Sequence, residues 1–365
     1  MLRATMRMRL DCVVSPAARA VLDALGRTED LMFSPSGRRL AIAAYRANRI
    51  AIFDVAVVAA ENASQVVLGD VVELEASLLA APHGLCFLDE ETVAVASRGG
   101  GVQVYAAAAS GGVSGRRAVA PIQAIAGDDG APVRTPGSVA VFPVGPDELE
   151  LLVCNNYSHV VTRHVLDRRR AYASTRDEVL LRRGLDVPDG ICYSPDGAWI
   201  AVSNHNTHEV LLYRRSAALH ADSAPDAVLC NVICPHGVRF TPDQRHVLVA
   251  DAHARYVNVY EPGASGWQGA HEPRSMVPVL DWPTYLQGRS NPQEGGPKGI
   301  DIDPGMKVLA CTTEFQTLAF FDLAAMLARP VPPESRRKRY VQWRLANAIH
   351  RRRPEIYARL RPFWR

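Results

Sequence analysis

The chain has 365 residues, of which 48% are hydrophobic and 22% are charged. This hydrophobic fraction is high enough for a sizeable core, so it excludes a disordered or a fibrous protein. At about 150 residues per domain the length predicts two domains, and a formal net charge of +3 does not by itself indicate a strongly charged partner.

Residues 1–18 are expected to form an N-terminal extension. Three arginines, Arg3, Arg7 and Arg9, precede an apolar stretch interrupted by Asp11, which is too short for the apolar part of a secretory signal. No run of residues approaches the roughly 18 apolar residues of a membrane span. The seven cysteines lack the spacing of a disulfide framework or of a zinc site. We therefore expect a cytoplasmic protein.

One sequence phrase returns six times along the chain, and a glycine marks its position. The first version is Glu29–Gly37, and a later, fuller version is Pro188–Gly197. If Asp30 is taken as the first equivalent of the glycine, the successive marks are 54, 53, 53, 47 and 62 residues apart. This spacing indicates six copies of one structural unit. The marked positions are Asp30, Gly84, Gly137, Gly190, Gly237 and Gly299.

Each unit contains the same order of short strands. An apolar strand leads into a turn such as the Ser-Pro-Asp-Gly sequence at residues 194–197, where proline presets φ and glycine adopts a positive φ. A second and a third strand follow, such as Trp199–Ser203 and Val210–Tyr213, and then a less regular fourth. Four short strands in about 50 residues are typical of a β-propeller blade. The sequence therefore predicts an all-β, six-bladed propeller over residues 19–328.

The last unit lacks a fourth strand, because a proline-rich stretch follows residues 322–327. The apolar segment Ala20–Leu25 lies before the first unit and would supply the missing strand. Pairing this N-terminal strand with blade six would close the ring and remove the exposed sheet edge. The 365 residues are therefore predicted to form one propeller ring and a helical tail instead of two domains.

The first strand of each propeller blade lines the central channel, so the residue before each marked glycine faces the channel mouth. Two imidazoles and two carboxylates at such positions suit zinc, iron or manganese, whereas calcium would need more oxygen ligands. We predict a divalent metal there. We expect no nucleotide cofactor, because the sequence contains no P-loop and no dinucleotide fingerprint. The four predicted metal ligands are Glu29, His83, Asp189 and His236.

Polar loops between the second and third strands open on the same face of the predicted propeller. The longest step between marks places an insertion, Trp282–Pro297, at this mouth, as expected for a lid or a specificity loop. Such polar residues also favour tight turns, so an interpretation in which they only form loop hydrogen bonds stays open. The predicted substrate-binding residues are Asn155, Tyr157, Asn204, Trp282 and Arg289.

Over about residues 20–328, these blade phrases resemble those of soluble six-bladed propellers. They are similar to the gluconolactonase (senescence-marker) family, with its paraoxonase and strictosidine synthase relatives, and to the non-enzymatic NHL-repeat group. The resemblance to gluconolactonases implies one divalent metal in the channel mouth and the opening of a sugar lactone or a related ester. It places Glu29 at the family's first ligand position, Asp189 at the second in place of an asparagine, and His236 at the third.

If the chain is such an enzyme, the metal would polarise a lactone or ester carbonyl and lower the pKa of the attacking water. Asp189 or a mouth histidine, His205 or His253, would act as general base. Arg98 or Lys298 would stabilise the oxyanion. The alternative is a non-catalytic, NHL-like propeller that binds a protein or a glycan on the same face. Donor atoms grouped around one centre would favour the enzyme.

Residues 329–365 form a basic tail with a net charge of +10, joined to a remainder with a net charge of −7. Segment Ser335–Arg353 has helical periodicity, with an apolar side that includes Val341 and Leu345. Such a segment suits an anionic membrane surface, to which the protein would bind peripherally, or an acidic protein. Packing on the propeller's own rim is the alternative, and nucleic acid is disfavoured because no recognition motif accompanies the charge. The predicted contact residues are Arg337, Arg344, Arg351 and Trp364.

Overall fold

The computed structural model describes residues 8–59, 64–107, 114–328 and 332–360. Six mainly antiparallel sheets follow one another along the chain, one for each repeated unit. The first strand of each sheet contacts the first strands of the two neighbouring sheets, and these contacts run from blade six back to blade one. The predicted all-β, six-bladed propeller is therefore confirmed, with the first strands around a central channel.

The strands of the first three blades match the apolar runs of the sequence. Most of their inner residues are buried on both faces, because each blade is packed between two others, so these strands read as continuous apolar runs. Blade one consists of Thr28–Phe33, Arg39–Ala44, Arg49–Ala59 and Ser64–Glu75. Blade two consists of Pro82–Phe87, Thr92–Ser97, Gly101–Ala106 and Gln123–Ile125. Blade three consists of Pro136–Pro143, Glu148–Asn155, Val160–Asp167 and Ala173–Leu181.

The last three blades follow the same pattern, and blade six has three strands of its own. Blade four consists of Pro188–Tyr193, Trp199–Asn204, Glu209–Arg214 and Ala227–Leu229. Blade five consists of Pro235–Phe240, Val247–Asp251, Tyr256–Tyr260 and Ser275–Pro278. Blade six consists of Ile300–Ile302, Val308–Cys311 and Ala319–Asp322. Gly115–Ala118 and Gly269–His271 add parallel strands to the outer edges of blades one and four.

The closing strand predicted at Ala20–Leu25 is wrong, because this segment belongs to a helix, α1 (Pro16–Leu25). The Ser15 side chain accepts a hydrogen bond from the Ala18 amide at 3.1 Å, and proline occupies the first turn, where its missing N–H costs nothing. The helix buries one apolar stripe against blade one. The predicted domain boundary at residue 18 lies within this helix.

The N-terminal segment nevertheless connects blades six and one, through residues that come before α1. Arg9 forms a β-bridge with Phe321, and the Leu10 amide donates to the Phe320 carbonyl at 2.8 Å. The short strand Cys12–Val14 then pairs in parallel with the outer strand of blade one. An extended N-terminal segment therefore spans the junction where the ring closes.

The glycines of the repeated phrase are required by close packing around the channel. A β-carbon on Gly190 would lie 2.1 Å from the carbonyl oxygen of His236, so only glycine allows these two inner strands to approach so closely. In the turns at the other ends of the blades, Gly37 and Gly197 have positive φ angles of 71° and 69°, as the turn sequences predict. A β-carbon on Gly137 would instead meet the Asn156 side chain. The glycines with such close neighbours on the adjacent inner strand or its flanking residues are Gly84, Gly190, Gly237 and Gly299.

Four further helices occur in the described part of the chain. The insertion between blades five and six contains α2 (Trp282–Gly288), capped by Asp281, whose side chain accepts from the Thr284 amide. None of the described helices has the length and the apolar composition that a membrane crossing requires. The remaining helices are α3 (Leu323–Ala328), α4 (Arg336–Arg352) and α5 (Pro354–Leu360). Two short 3-10 segments lie at Asn156–Ser158 and Arg168–Arg170.

The basic tail packs on the propeller. Arg339 of α4 is 3% exposed and forms an ion pair with Asp251, which is 0% exposed. The Trp343 ring packs edge-on against His208, with ring centroids 4.2 Å apart. This side of α4 therefore packs on the propeller's own rim, which is the alternative that the sequence left open.

The side of α4 that the sequence marks as apolar is largely exposed, although Leu345 lines a cavity beside α2. Val341 and Leu345 are 55% and 56% exposed. Arg337, Arg344 and Arg351 are exposed as well, and Trp364 lies outside the described residues. Binding of a membrane surface or an acidic protein by this outer side stays a prediction.

We expect Gly190→Ala to lower the free energy of unfolding by about 2 kcal/mol or more, because the added methyl group would force two inner strands apart. Urea denaturation measures this change. Gly115→Ala is the matched control, since nothing lies within 4 Å of its β-carbon position and its φ is not positive. An equal effect of both substitutions would contradict the packing role of the repeated glycine.

We expect Arg339→Met to release α4, because it leaves the buried Asp251 carboxylate without its cation, at a cost of about 3 kcal/mol. Limited chymotrypsin digestion, which cleaves beside Trp343, should be faster by at least about tenfold. Arg337→Met, on the exposed side of the same helix, should leave the digestion rate unchanged. Equal rates for the two variants would show that the ion pair does not hold the tail.

Candidate functional site

Four titratable side chains meet at the channel mouth, one each from blades one, two, four and five. Each directly precedes the marked position of its blade, so the inner strand directs it toward the axis. Their exposed fractions are 1% for Glu29, 2% for His83, 3% for Asp189 and 7% for His236. The structure thus brings together the four residues that the sequence marks as metal ligands. We refer to them below as the mouth cluster.

Three of the four members of the mouth cluster have donor atoms close to one centre. Glu29 Oε2 lies 3.7 Å from His83 Nε2 and 3.4 Å from His236 Nε2. Asp189 Oδ2 lies 3.2 Å from His236 Nε2. The ligand atoms of Glu29, His83 and His236 all lie within 4.8 Å of one another. These residues could therefore hold one metal ion.

A single hydrogen bond sets the orientation of His83. Its Nδ1 lies 2.8 Å from the Gly137 carbonyl oxygen, which can only accept, so Nδ1 carries the hydrogen. Burial, assisted by the Arg98 charge, lowers the pKa of His83 to about 3, which keeps the imidazole neutral. The Nε2 lone pair is thus left facing the Glu29 carboxylate, at a distance too long for a hydrogen bond.

In the other three members of the mouth cluster, neighbouring charges shift the pKa toward the charged form. Burial acts to raise the pKa of Glu29, but Lys298, His236 and His83 hold it well below its usual range. Burial likewise opposes ionisation of Asp189, yet His236, His83 and Arg98 lower its pKa. For His236, burial lowers the pKa, but Asp189 and Glu29 outweigh it and the pKa is raised.

Three cations balance the carboxylates at the mouth. Lys298, which is 1% exposed, lies 3.1 Å from Glu29 Oε2 and 2.7 Å from Glu294 Oε2. Arg27 pairs with the same two glutamates. Arg98 Nη2 lies 3.7 Å from Asp189 Oδ1. Three carboxylates, those of Glu29, Asp189 and Glu294, thus face three cations, so these six groups carry no net charge together.

Three residues of this network have no individual role in the sequence-based prediction, which places Glu294 only in the insertion and Asn156 only in a polar loop at the mouth, and Arg27 in neither. Arg27 lies two residues before Glu29, just before the strand Thr28–Phe33 begins. Glu294 lies four residues before Lys298 in the insertion, and the Asn156 side chain donates to Asp189 Oδ1 at 2.9 Å. Only the spacing of Arg27 could have been read from the sequence, because the other contacts depend on how loops fold back.

Three of the predicted mouth residues lie around the cluster. His205 Nδ1 lies 3.9 Å from Asp189 Oδ2 and has no hydrogen-bond partner among the described residues. Arg98 Nη1 lies 3.4 Å from the Tyr157 hydroxyl, and its guanidinium lies over the Tyr157 ring. Tyr157 is 61% exposed, so this pair forms the open side of the mouth.

Two predicted substrate-binding residues, Asn155 and Asn204, instead form hydrogen bonds to neighbouring parts of their own blades. The Asn155 side chain accepts from the Arg134 amide and donates to Thr162, while Asn204 accepts from the Asp186 amide. Both asparagines are at most 1% exposed. Their amides stabilise the loop conformations, as expected from the turn-forming interpretation of these positions.

The structure places His253, Trp282 and Arg289 away from the mouth cluster. They line a cavity of about 250 Å³ beside α2 and α4, which shares no lining residue with the cavity of about 10 Å³ in the channel. His253 Nδ1 lies 2.6 Å from the Pro292 carbonyl oxygen. The insertion packs against blade five and the tail, and this packing separates the three residues from the channel.

We expect Lys298→Met to destabilise the fold by about 3 kcal/mol, because it leaves Glu29 and Glu294 buried together with one cation fewer. Urea denaturation followed by tryptophan fluorescence measures the change. Lys307→Met removes an exposed lysine and should change the stability by less than about 0.5 kcal/mol. Lys298→Met behaving like its control would show that the mouth carboxylates do not need this cation.

Comparison with known proteins identifies the fold only. No protein-family model matches the sequence, and no curated protein matches it. A functionally unknown protein from Desulfotomaculum acetoxidans has a TM-score of 0.53 and 12% identity, covering 81% of this chain and 83% of that chain. A chain of the mitotic checkpoint complex is also similar, with a TM-score of 0.49 and 11% identity, covering 81% of this chain and 90% of that chain. Kuenenia stuttgartiensis hydrazine synthase has a TM-score of 0.46 and 12% identity, covering 82% of this chain and 84% of that chain. At 12% identity, the similarity to the Desulfotomaculum acetoxidans protein shows a shared fold and no shared function.

Proposed function

We propose that the protein is a metal-dependent hydrolase of a small lactone or ester, with one divalent cation held by the mouth cluster. The observation that carries the proposal is the grouping of donor atoms from Glu29, His83 and His236 within 4.8 Å of one another. Asp189 supplies a fourth donor, 3.2 Å from His236. These residues come from four different blades, so their convergence is a property of the whole ring.

The spacing of the donors fits a small transition-metal ion. Ligands at about 2.1 Å from a tetrahedral metal lie about 3.4 Å from one another, and Glu29 Oε2 lies 3.7 Å from His83 Nε2 and 3.4 Å from His236 Nε2. Asp189 lies 3.2 Å from His236 but outside the group of three donors, so it would have to move to join them as a ligand. Two nitrogens and two carboxylate oxygens favour zinc, iron or manganese over calcium. Glu29 Oε2 is buried without a hydrogen-bond donor aligned to it, although Lys298 lies nearby.

A bound cation would polarise a substrate carbonyl and lower the pKa of a water molecule. The chain itself offers further groups at the open side of the mouth. His205 Nδ1 is free of hydrogen bonds in the described chain and lies beside Asp189, which suits a general base. The Arg98 side chain is 23% exposed and can turn toward an oxyanion. Lys298 is enclosed between two carboxylates, so we assign it to positioning Glu29.

The second candidate is a non-catalytic propeller that binds a protein or a glycan on the same face. The small channel cavity favours it, since about 10 Å³ holds roughly one water molecule. A substrate would therefore have to lie above the mouth cluster, over Arg98 and Tyr157, and not inside the channel. Metal content and hydrolysis separate the two candidates.

We also keep the cytoplasm as the proposed compartment. All seven cysteines are free, and six of them are buried. A reducing compartment maintains such thiols.

We expect the protein purified without chelators to contain about one equivalent of zinc, iron or manganese, measured by inductively coupled plasma mass spectrometry. Glu29→Gln and His236→Ala should lose the metal, because each removes a ligand. His220→Ala, at an exposed histidine outside the channel, should retain it. A metal-free protein that also takes up none of the three added ions would refute the metal centre.

The hydrolase part of the proposal has its own test. The metal-loaded protein should hydrolyse δ-valerolactone or p-nitrophenyl acetate, and Arg98→Gln should lower kcat by about tenfold or more while metal content stays unchanged. A loaded protein without activity on lactones and esters would leave the metal centre in place and favour the non-catalytic candidate.

A further inference from the structure

The cavity of about 250 Å³ beside the tail has the character of a ligand site. It lies between blade five, α2 and α4, and none of its lining residues lines the channel cavity. It is therefore distinct from the mouth cluster. The lining residues that decide its chemistry are Arg255, Tyr256, Trp282, Tyr285, Lys338 and Arg339.

Tertiary contacts hold the walls of this cavity in place. The buried pair of Arg339 and Asp251 fixes α4 on blade five. The Tyr256 hydroxyl donates to Glu334 Oε1 at 2.9 Å just before α4 begins. Arg289 Nε donates to the Tyr357 hydroxyl at 3.0 Å, which ties the insertion to α5. Since the walls are already docked, a ligand would not have to order them on binding.

Arg255 is the residue that points to an anionic ligand. It is 7% exposed, and its Nη1 donates to the Leu280 carbonyl at 2.8 Å. Its Nε is buried and has no hydrogen-bond partner in the described chain. An unused donor on a buried guanidinium is costly, and an acceptor that enters the cavity would satisfy it.

The remaining charges of the cavity also favour an anionic ligand. Lys338 brings a second cation from α4, on an exposed part of the wall. Arg289 and Arg339 also line the cavity, and Arg339 forms an ion pair with Asp251. Glu334 is the carboxylate in the lining and supplies one negative charge. Four cations against two carboxylates give the cavity a surplus of positive charge.

The apolar part of the lining is aromatic. The Arg255 guanidinium lies 4.6 Å from the centroid of the Trp282 ring, and the Trp282 and Tyr285 rings are 5.7 Å apart. Flat aromatic faces beside a cation suit a flat ligand that carries a negative group. The volume is slightly below the range of about 300–1,000 Å³ that is usual for drug-sized ligands, which limits the ligand to one or two fused rings.

We propose that this cavity binds an arylcarboxylate, whose carboxylate is held by Arg255 and Lys338 and whose ring lies beside Trp282. The tail supplies one wall, so the bound ligand also stabilises the docked tail. This site is independent of the mouth cluster and of any metal bound there.

Isothermal titration calorimetry on the full chain tests the proposal with 1-naphthoate and its neutral isostere 1-naphthamide. We expect saturable binding of 1-naphthoate, about tenfold or more tighter than that of 1-naphthamide, because the carboxylate forms charge-assisted hydrogen bonds. Quenching of tryptophan fluorescence should follow the same binding curve. Equal affinities for the two compounds, or no saturable binding of 1-naphthoate at millimolar concentration, would overturn the proposal.

Variants locate the binding site. Arg255→Gln should weaken 1-naphthoate binding by about tenfold, and Lys338→Gln by about threefold because its side chain is more exposed. Lys338→Gln keeps the test valid if loss of the buried arginine impairs folding. Arg337→Gln, on the same helix but outside the cavity, and His236→Ala, in the channel, should bind 1-naphthoate as the unmodified protein does. Unchanged affinity in folded Arg255→Gln and Lys338→Gln proteins would place any binding elsewhere.

Discussion

The close approach of the six inner strands around the channel is the constraint on which the rest of the structure depends. Gly84, Gly190, Gly237 and Gly299 allow the inner strands of blades two, four, five and six to approach the next inner strand, where a β-carbon would collide with it. The side chain that precedes each of these positions is then directed into the narrow channel mouth. This packing explains why Glu29, His83 and His236, which are far apart in the sequence, present their donor atoms to one another.

Such a concentration of buried titratable groups is stable only because its charges are paired. Lys298 and Arg27 hold Glu29 and Glu294 as carboxylates, and Arg98 does the same for Asp189. Some groups of the mouth stay unpaired, and among them the His83 Nε2 lone pair faces Glu29 without a hydrogen between them. Metal ions bind deprotonated ligands, and the network keeps Glu29, Asp189 and His83 in this form. The pKa of His236 is raised by Asp189 and Glu29, so a cation that binds there would have to displace the proton of this imidazole.

The arginines of the tail have different roles on the two sides of α4. Arg339 points inward and neutralises Asp251, and with Trp343 it joins α4 to blade five. Val341 remains exposed on the outer side, beside further arginines, and the half-exposed Leu345 borders the cavity. The tail is therefore part of the folded domain, and it creates a cavity that the propeller alone would not enclose.

The sequence by itself determined the six blades and the four residues at the channel mouth. Each blade is built from local apolar runs and turn residues, and the repeated phrase carries the register from one blade to the next. The helix at Pro16–Leu25 is not predicted, because a short apolar run such as Ala20–Leu25 is compatible with both a strand and a helix. The residues that favour the helix, Ser15 as its cap and Pro16 in its first turn, lie before this run. Only the tertiary structure decided the cations that neutralise the mouth cluster, the side of α4 that docks, and the separation of His253 and Trp282 from the channel. All three depend on contacts between loops and helices that are distant in the sequence, which no local pattern records.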